Sequence, residues 1–196
     1  VLEAADRPGG SVWTAESTVP GFHHDVGAGF VAFKDSAAFV GLDLGSRGLR
    51  FGLGELESAH PAPDGTCPAI ARDVDRAAPT FGPDADAWRD LHTFHARIDP
   101  ELLAYLGPFP QIAPAWRMGP KDGFRLLGAF MSSSGGFARR TFTTEAARRV
   151  IPSMGLHVDV GPDDRFGMPI CWTLSMRATT AGFAVPMGGM ASISRA

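Results

Sequence analysis

The chain opens on a short apolar run, Val1-Leu2, that meets an acid at Glu3 and is closed by the turn Arg7-Pro8-Gly9-Gly10. A buried strand that ends in a carboxylate and stops at a proline–glycine turn is a narrow specification. Pro8 fixes its own φ and offers no N–H. The glycine pair lets the backbone pass close to another group, because no Cβ intrudes. Val1 stands inside the apolar run, and Met187 to Ala196 reads as a glycine turn leading into a helix. Both ends are therefore expected to be truncations of a longer chain.

Beyond the opening turn the texture changes twice. Ser11 to Thr18 is polar and β-tolerant, Pro20-Gly21 signals a turn, and Phe22 to Phe33, with Gly27 and Gly29, reads as a strand or extended loop. Asp35 is placed to cap a short helix over Ser36 to Val40. Leu49 to Leu56 and His60 to Arg72 read as strands, with Asp64-Gly65 as a hairpin turn. After Arg72, helical spacing takes over at Trp88, Leu91, His95 and Ile98. Asp99-Pro100-Glu101 then predicts a fresh helix start, with Leu102, Leu103 and Leu106 as its apolar face and Gly107 as its end. Pro108 to Pro120 carries four prolines and predicts a loop, followed by a helix over Phe124 to Met131 and a flexible break from Ser132 to Gly136. Thr143 or Thr144 can cap a helix over Glu145 to Ile151, and Pro169 to Met176 is an apolar helix or strand. The order predicts an α/β chain: an incomplete dinucleotide-binding, Rossmann-like domain at 1–48, an inserted α+β substrate domain at 49–185, and a return to the first domain at 186–196.

Composition narrows the function classes. A hydrophobic share of 44% and a charged share of 20% are those of a globular chain. A net charge of −3 advertises no basic surface, so nucleic acid is not expected as a partner. Cys67 and Cys171 are too few for a disulfide framework or a CxxC metal site, and a reduced, cytoplasmic setting is the default. The long uncharged tract from Ala178 to Ser194 is interrupted by Gly182, Pro186, Gly188 and Gly189 and falls short of a membrane span.

An acid at the end of the second strand of a dinucleotide-binding unit can accept both ribose hydroxyls of an adenosine, which is a chemical reason for Glu3. The phosphate loop GxGxxG belongs roughly 20 residues earlier, and no such motif occurs from Val1 onward, so it is expected upstream. A second segment, Phe22-His23-His24-Asp25-Val26-Gly27-Ala28-Gly29-Phe30, follows soon after. Together the two segments resemble the phytoene desaturases and related flavoproteins, including amine oxidases. In that family a Leu-Glu strand end leads to Asp-Arg or Asp-Lys and a Gly-Gly pair, and then to Gly-Phe, two residues, Asp, a small residue and Gly. Pro186-Met187-Gly188-Gly189 resembles a further family element, a Pro-x-Gly-Gly turn before a helix near the substrate cavity. The resemblance covers roughly residues 1–33 and the last fifteen or so; the middle matches in texture only.

The resemblance implies FAD as cofactor and a small hydrophobic substrate, with peripheral membrane contact left open. Glu3 would hold the adenosine ribose. Gly9, Gly10 and Ser11 would lie along the pyrophosphate and ribityl region. Gly27, Ala28 and Gly29 would lie near the flavin ring, and Gly188 and Gly189 would border the substrate cavity. Two departures weaken the amine-oxidase branch: Ser11 stands where the family often has Arg, and Ala5 where that branch often has Arg. They also support an alternative, a non-catalytic remnant or hydrophobic-ligand-binding module without flavin. No side chain stands out as a catalytic acid, base or nucleophile. His23-His24-Asp25 would point to alternate faces of a strand, which suits no metal site. His92 and His95 lack the HExxH spacing, and Ser132-Ser133-Ser134-Gly135-Gly136 is not a GxSxG elbow.

Overall fold

The computed structural model describes residues 3–105 and 113–196. In chain order the elements are β1 (Thr14–Ala15), β2 (His24–Asp25), α1 (Ala37–Leu42), β3 (Phe51–Gly52), β4 (Ser58–Ala59), β5 (Ala69–Ile70), α2 (Val74–Ala77), a 3₁₀ stretch (Ala78–Asp84) and α3 (Ala85–Tyr105). They continue with α4 (Ala113–Phe130), α5 (Ser134–Thr141), α6 (Glu145–Gly155), a 3₁₀ turn (Leu156–Val158), α7 (Met168–Thr180), β6 (Val185–Pro186) and α8 (Ala191–Arg195). The chain is mixed α/β and divides into two compact units, Val1–Gly54 with Phe183–Ala196, and Glu55–Gly182. Among the described residues the strand pairs β1–β2, β3–β6 and β4–β5 are all antiparallel, and no helix is long and apolar enough to cross a membrane.

The unit Glu55–Gly182 is a helical body with one small hairpin. Its core is aromatic: Phe81 stacks on Trp88 at 4.3 Å, Phe142 closes on both, and Trp172 takes edge contacts from Phe94, Phe130 and Phe137. Two buried carboxylates tie this core to its helix ends. Asp84 receives the backbone N–H and hydroxyl of Thr143 (2.7 and 2.9 Å) and of Thr144 (2.9 and 2.6 Å). Burial pushes its carboxyl up, but these four bonds outweigh it and hold the pKa below the ordinary range. Thr144 in turn caps α6 by accepting the Ala147 N–H. Asp99 receives Nη1 of Arg177 at 2.6 Å and the Thr180 hydroxyl at 3.1 Å, joining α3 to α7. Burial opposes its ionisation too. His95 and Arg177 overcome that and bring the pKa to about 2.

Several expectations are corrected. Asp99 and Pro100 do not start a new helix, because α3 runs through both. The Asp99 side chain is occupied by Arg177 instead of capping N–H groups, and α3 accommodates Pro100 in its interior. His60 to Arg72 is not one strand. The chain reverses inside it, where Asp64 Oδ1 accepts from the Thr66 N–H and hydroxyl, and only Ala69–Ile70 pairs, with Ser58–Ala59. Leu49 to Leu56 pairs only at Phe51–Gly52. Residues 113–120 are helical apart from Gly119 (φ 75°), not loop; Leu106 to Ile112 lie outside the described residues. Ser132 to Gly136 is not a break, since Ser133 accepts the Gly136 N–H and starts α5. Ser36, not Asp35, caps α1. Pro169 to Met176 is helical, within α7.

The buried Asp99–Arg177 pair makes a pH prediction. The folded pKa of about 2 lies below the ordinary 3.8, so its contribution is complete above about pH 4 and is lost as pH falls toward 2. Asp99→Asn removes the buried carboxylate that pairs with Arg177 and is expected to lower unfolding free energy by about 3–5 kcal/mol. Urea unfolding at neutral pH should show that loss, and the acid limb of stability should be shallower in the variant than in the parent.

Candidate functional site

The unit Val1–Gly54 with Phe183–Ala196 contains nearly every residue that the sequence singled out, and its local structure is set by turns. Gly9 (φ 116°) and Gly10 (φ 53°) both use backbone space that favours glycine, and the turn closes through the Val12 N–H on the Gly9 carbonyl at 2.8 Å. Ser11 carbonyl then accepts the Ala28 N–H at 3.1 Å, and Trp13 carbonyl accepts the Val26 N–H at 2.9 Å. The Gly9-Gly10-Ser11 turn and the Gly27-Ala28-Gly29 segment therefore lie side by side, extending the β1–β2 pair in which Thr14 faces Asp25.

The third segment joins them from the far end of the chain. Asp25 Oδ1 accepts the Thr14 hydroxyl at 2.6 Å and the Met190 N–H at 2.8 Å, while Thr14 Oγ1 accepts the Ala191 N–H at 3.0 Å. Two otherwise unpaired donors at the start of α8 are thus satisfied by side chains about 170 positions earlier in the sequence. The antiparallel bridge between Val31 and Ala184 and the stacked rings of Phe30 and Phe183, 4.1 Å apart, repeat the same end-to-start pairing.

The glycines of these segments serve different purposes. A Cβ on Gly9 would stand 2.6 Å from Ser194 Oγ, one on Gly27 would stand 2.7 Å from the Ser11 carbonyl oxygen, and one on Gly189 would overlap the Thr14 side chain. These positions are small because the protein packs against itself there. Gly10, Gly29 and Gly188 have open space above them. Gly10 and Gly188 (φ 83°) still have a backbone reason to be glycine, but Gly29 has neither a positive φ nor a neighbour.

Glu3 is exposed and is not in a strand; its Oε1 accepts the Ala5 N–H at 3.0 Å, and this bond keeps its carboxyl below the usual range. Val1 and Leu2, the rest of the expected strand end, lie outside the described residues. Arg7 sits over the Trp13 ring at 3.1 Å, a cation–π contact within the same unit. The histidines of the second segment part company: His24 Nε2 meets Thr18 Oγ1 at 2.7 Å, and His23 approaches Glu16 at 3.6 Å. Thr14 was missed in the sequence. Asp25 was noticed only as part of a pattern, although an acid in a strand, where acids are depleted, is a signal that its side chain is bound.

The chain matches no protein-family profile and no curated protein.

The Thr14–Asp25 junction is testable. Asp25→Ala leaves the Met190 N–H and the Thr14 hydroxyl without their acceptor, and is expected to cost about 1–3 kcal/mol. Amide exchange should report it locally, with Met190 and Ala191 losing protection while amides of the Glu55–Gly182 unit keep theirs.

Proposed function

We propose that this chain belongs to a flavin-dependent oxidoreductase, similar to the phytoene desaturases, that oxidises or reduces a hydrophobic substrate. One observation carries the reading: the open space above Gly29, beside the turn at Gly10. A glycine that neither the backbone nor a neighbouring side chain requires is what a site needs where a flat ligand lies against the main chain. The direct bond between Ser11 and Ala28 supports the reading further, because it sets the two motif segments along one edge where a single extended cofactor would touch both.

FAD, when bound, supplies hydride transfer at the flavin ring. The role of this chain's residues would be positional. Gly10 and Ser11 would present backbone to the cofactor chain, Gly29 would admit the ring, and Asp25 would fix the segment between them by holding α8. Glu3 would offer its exposed carboxylate to the ribose hydroxyls, giving up the Ala5 N–H. Such a site needs no dedicated acid or base, since the protein's part is to place a C–H bond and exclude water.

Gly29→Val tests this without disturbing the fold. A Cβ at this exposed position meets nothing within 4 Å, so thermal stability should stay within about 0.5 kcal/mol of the parent. In the protein expressed from its full reading frame, flavin released by heating should fall at least tenfold per chain. Flavin retained at the parental ratio by a folded Gly29→Val protein, or a parent with no flavin at all, would sink the proposal and favour the ligand-binding module.

A further inference from the structure

The Glu55–Gly182 unit contains a cavity of about 450 Å³ between α3, α4 and α7. That size suits a small organic ligand. Its walls are apolar, with Leu102 and Leu103 from α3 and Leu126 and Phe130 from α4. Polar groups enter from His95 on α3 and from Thr173 and Arg177 on α7.

The hydrogen bonding of His95 defines what could bind there. Trp172 Nε1 can only donate, and it donates to His95 Nδ1 at 3.3 Å. His95 is therefore the tautomer that carries its proton on Nε2. That N–H is fully buried and has no hydrogen-bond acceptor. It stands 3.3 Å from Asp99 Oδ1, close enough to favour the ionised carboxylate but short of a well-directed hydrogen bond. The buried His95 N–H is thus only partly answered, which is costly for a protein interior. Thr173 spends its hydroxyl proton on the Pro169 carbonyl at 2.7 Å, so its oxygen too can only accept.

We propose that this cavity binds an apolar alcohol, whose hydroxyl oxygen accepts from His95 Nε2 while its proton goes to Thr173 Oγ1. A hydroxyl is the simple group that both gives and takes one hydrogen bond. A ketone leaves the Thr173 oxygen unmet. An ammonium leaves the His95 N–H unmet. A carboxylate would add a second buried negative charge beside Asp99, whose own charge Arg177 already matches. The site needs no flavin, so it stands or falls separately from the oxidoreductase reading.

Calorimetric titration of the full 196-residue chain with 1-octanol, 2-octanone, octanoate and octylamine, without added flavin, tests the proposal. One octanol should bind per chain, at least tenfold more tightly than each of the other three. Gly123→Leu fills the cavity from a helical position with open space above it and should abolish binding; Leu103→Trp does the same from α3 if the first variant folds poorly. His95→Phe should erase the preference for octanol over octanone, and His95→Gln, which keeps an N–H, should restore part of it. Absence of saturable octanol binding, equal affinity for octanone or octanoate, or unchanged affinity in both filled variants would overturn it.

Discussion

The unit that gathers the glycine-rich segments depends on one carboxylate. Its strands are two residues long, its helices have six and five residues, and neither kind of element is stable alone. Asp25 supplies what they lack. By accepting from the Thr14 hydroxyl and the Met190 N–H together, it fastens β1 to β2 and both to the start of α8. Thr14 completes the junction by accepting from Ala191, so each partner is held by two others. The close seat of Gly189 against Thr14 follows from this, because the chain can enter α8 at that point only if no Cβ stands in the way. The placement of Gly10, Gly27 and Gly29 along one edge is a consequence of the same junction, since it is the β1–β2 pairing that sets their register.

The helical unit solves a similar problem with larger parts. Asp84 and Asp99 are both buried, and a buried carboxylate is a liability unless its oxygens are bound. Asp84 is answered wholly by one threonine pair at the start of α6, so the chain that leaves the 3₁₀ stretch is locked to the helix that begins some 60 positions later. Asp99 is answered on Oδ2 by Arg177 and Thr180, while Oδ1 has the 3.3 Å contact with His95 and no well-directed hydrogen bond. The difference separates a structural carboxylate from one with capacity to spare. Hydrogen bonding that is complete rigidifies a core, and Asp84 does so more fully than Asp99.

Legibility in the sequence followed the range of the interactions. The cap at Thr144, the turn at Asp64-Gly65 and the helical spacing of Trp88, Leu91, His95 and Ile98 are set by neighbours within a few positions, and all three can be read directly. Asp99-Pro100 misleads for the opposite reason. It has every local mark of a helix start, but a guanidinium 78 positions away claims the carboxylate, and helix propensity yields to that tertiary contact. Ser132 to Gly136 looks flexible by composition, yet Ser133 turns it into a helix cap, and its Gly135 is buried against the Pro162 carbonyl. In the candidate site the motif segments were legible and their partner Thr14 was not, because nothing near Thr14 hints at an amide 177 positions away. The unmet N–H of His95 is invisible in sequence altogether, since it depends on which ring nitrogen Trp172 has taken.

The glycines sharpen what a motif can mean. A pattern such as Gly-Gly followed by Asp-x-Gly-x-Gly invites one explanation for all its glycines, yet here they divide. Gly9, Gly27 and Gly189 are small because Ser194, Ser11 and Thr14 press on them, and any chain that folds this way would need them with or without a cofactor. Gly10 and Gly188 answer to their backbone angles. These five positions therefore carry information about the fold and none about flavin. Only Gly29 lies outside both explanations. The weight of the functional reading thus moves off the pattern as a whole and onto a single residue, Gly29, the one motif glycine that neither its backbone angle nor a neighbouring side chain accounts for.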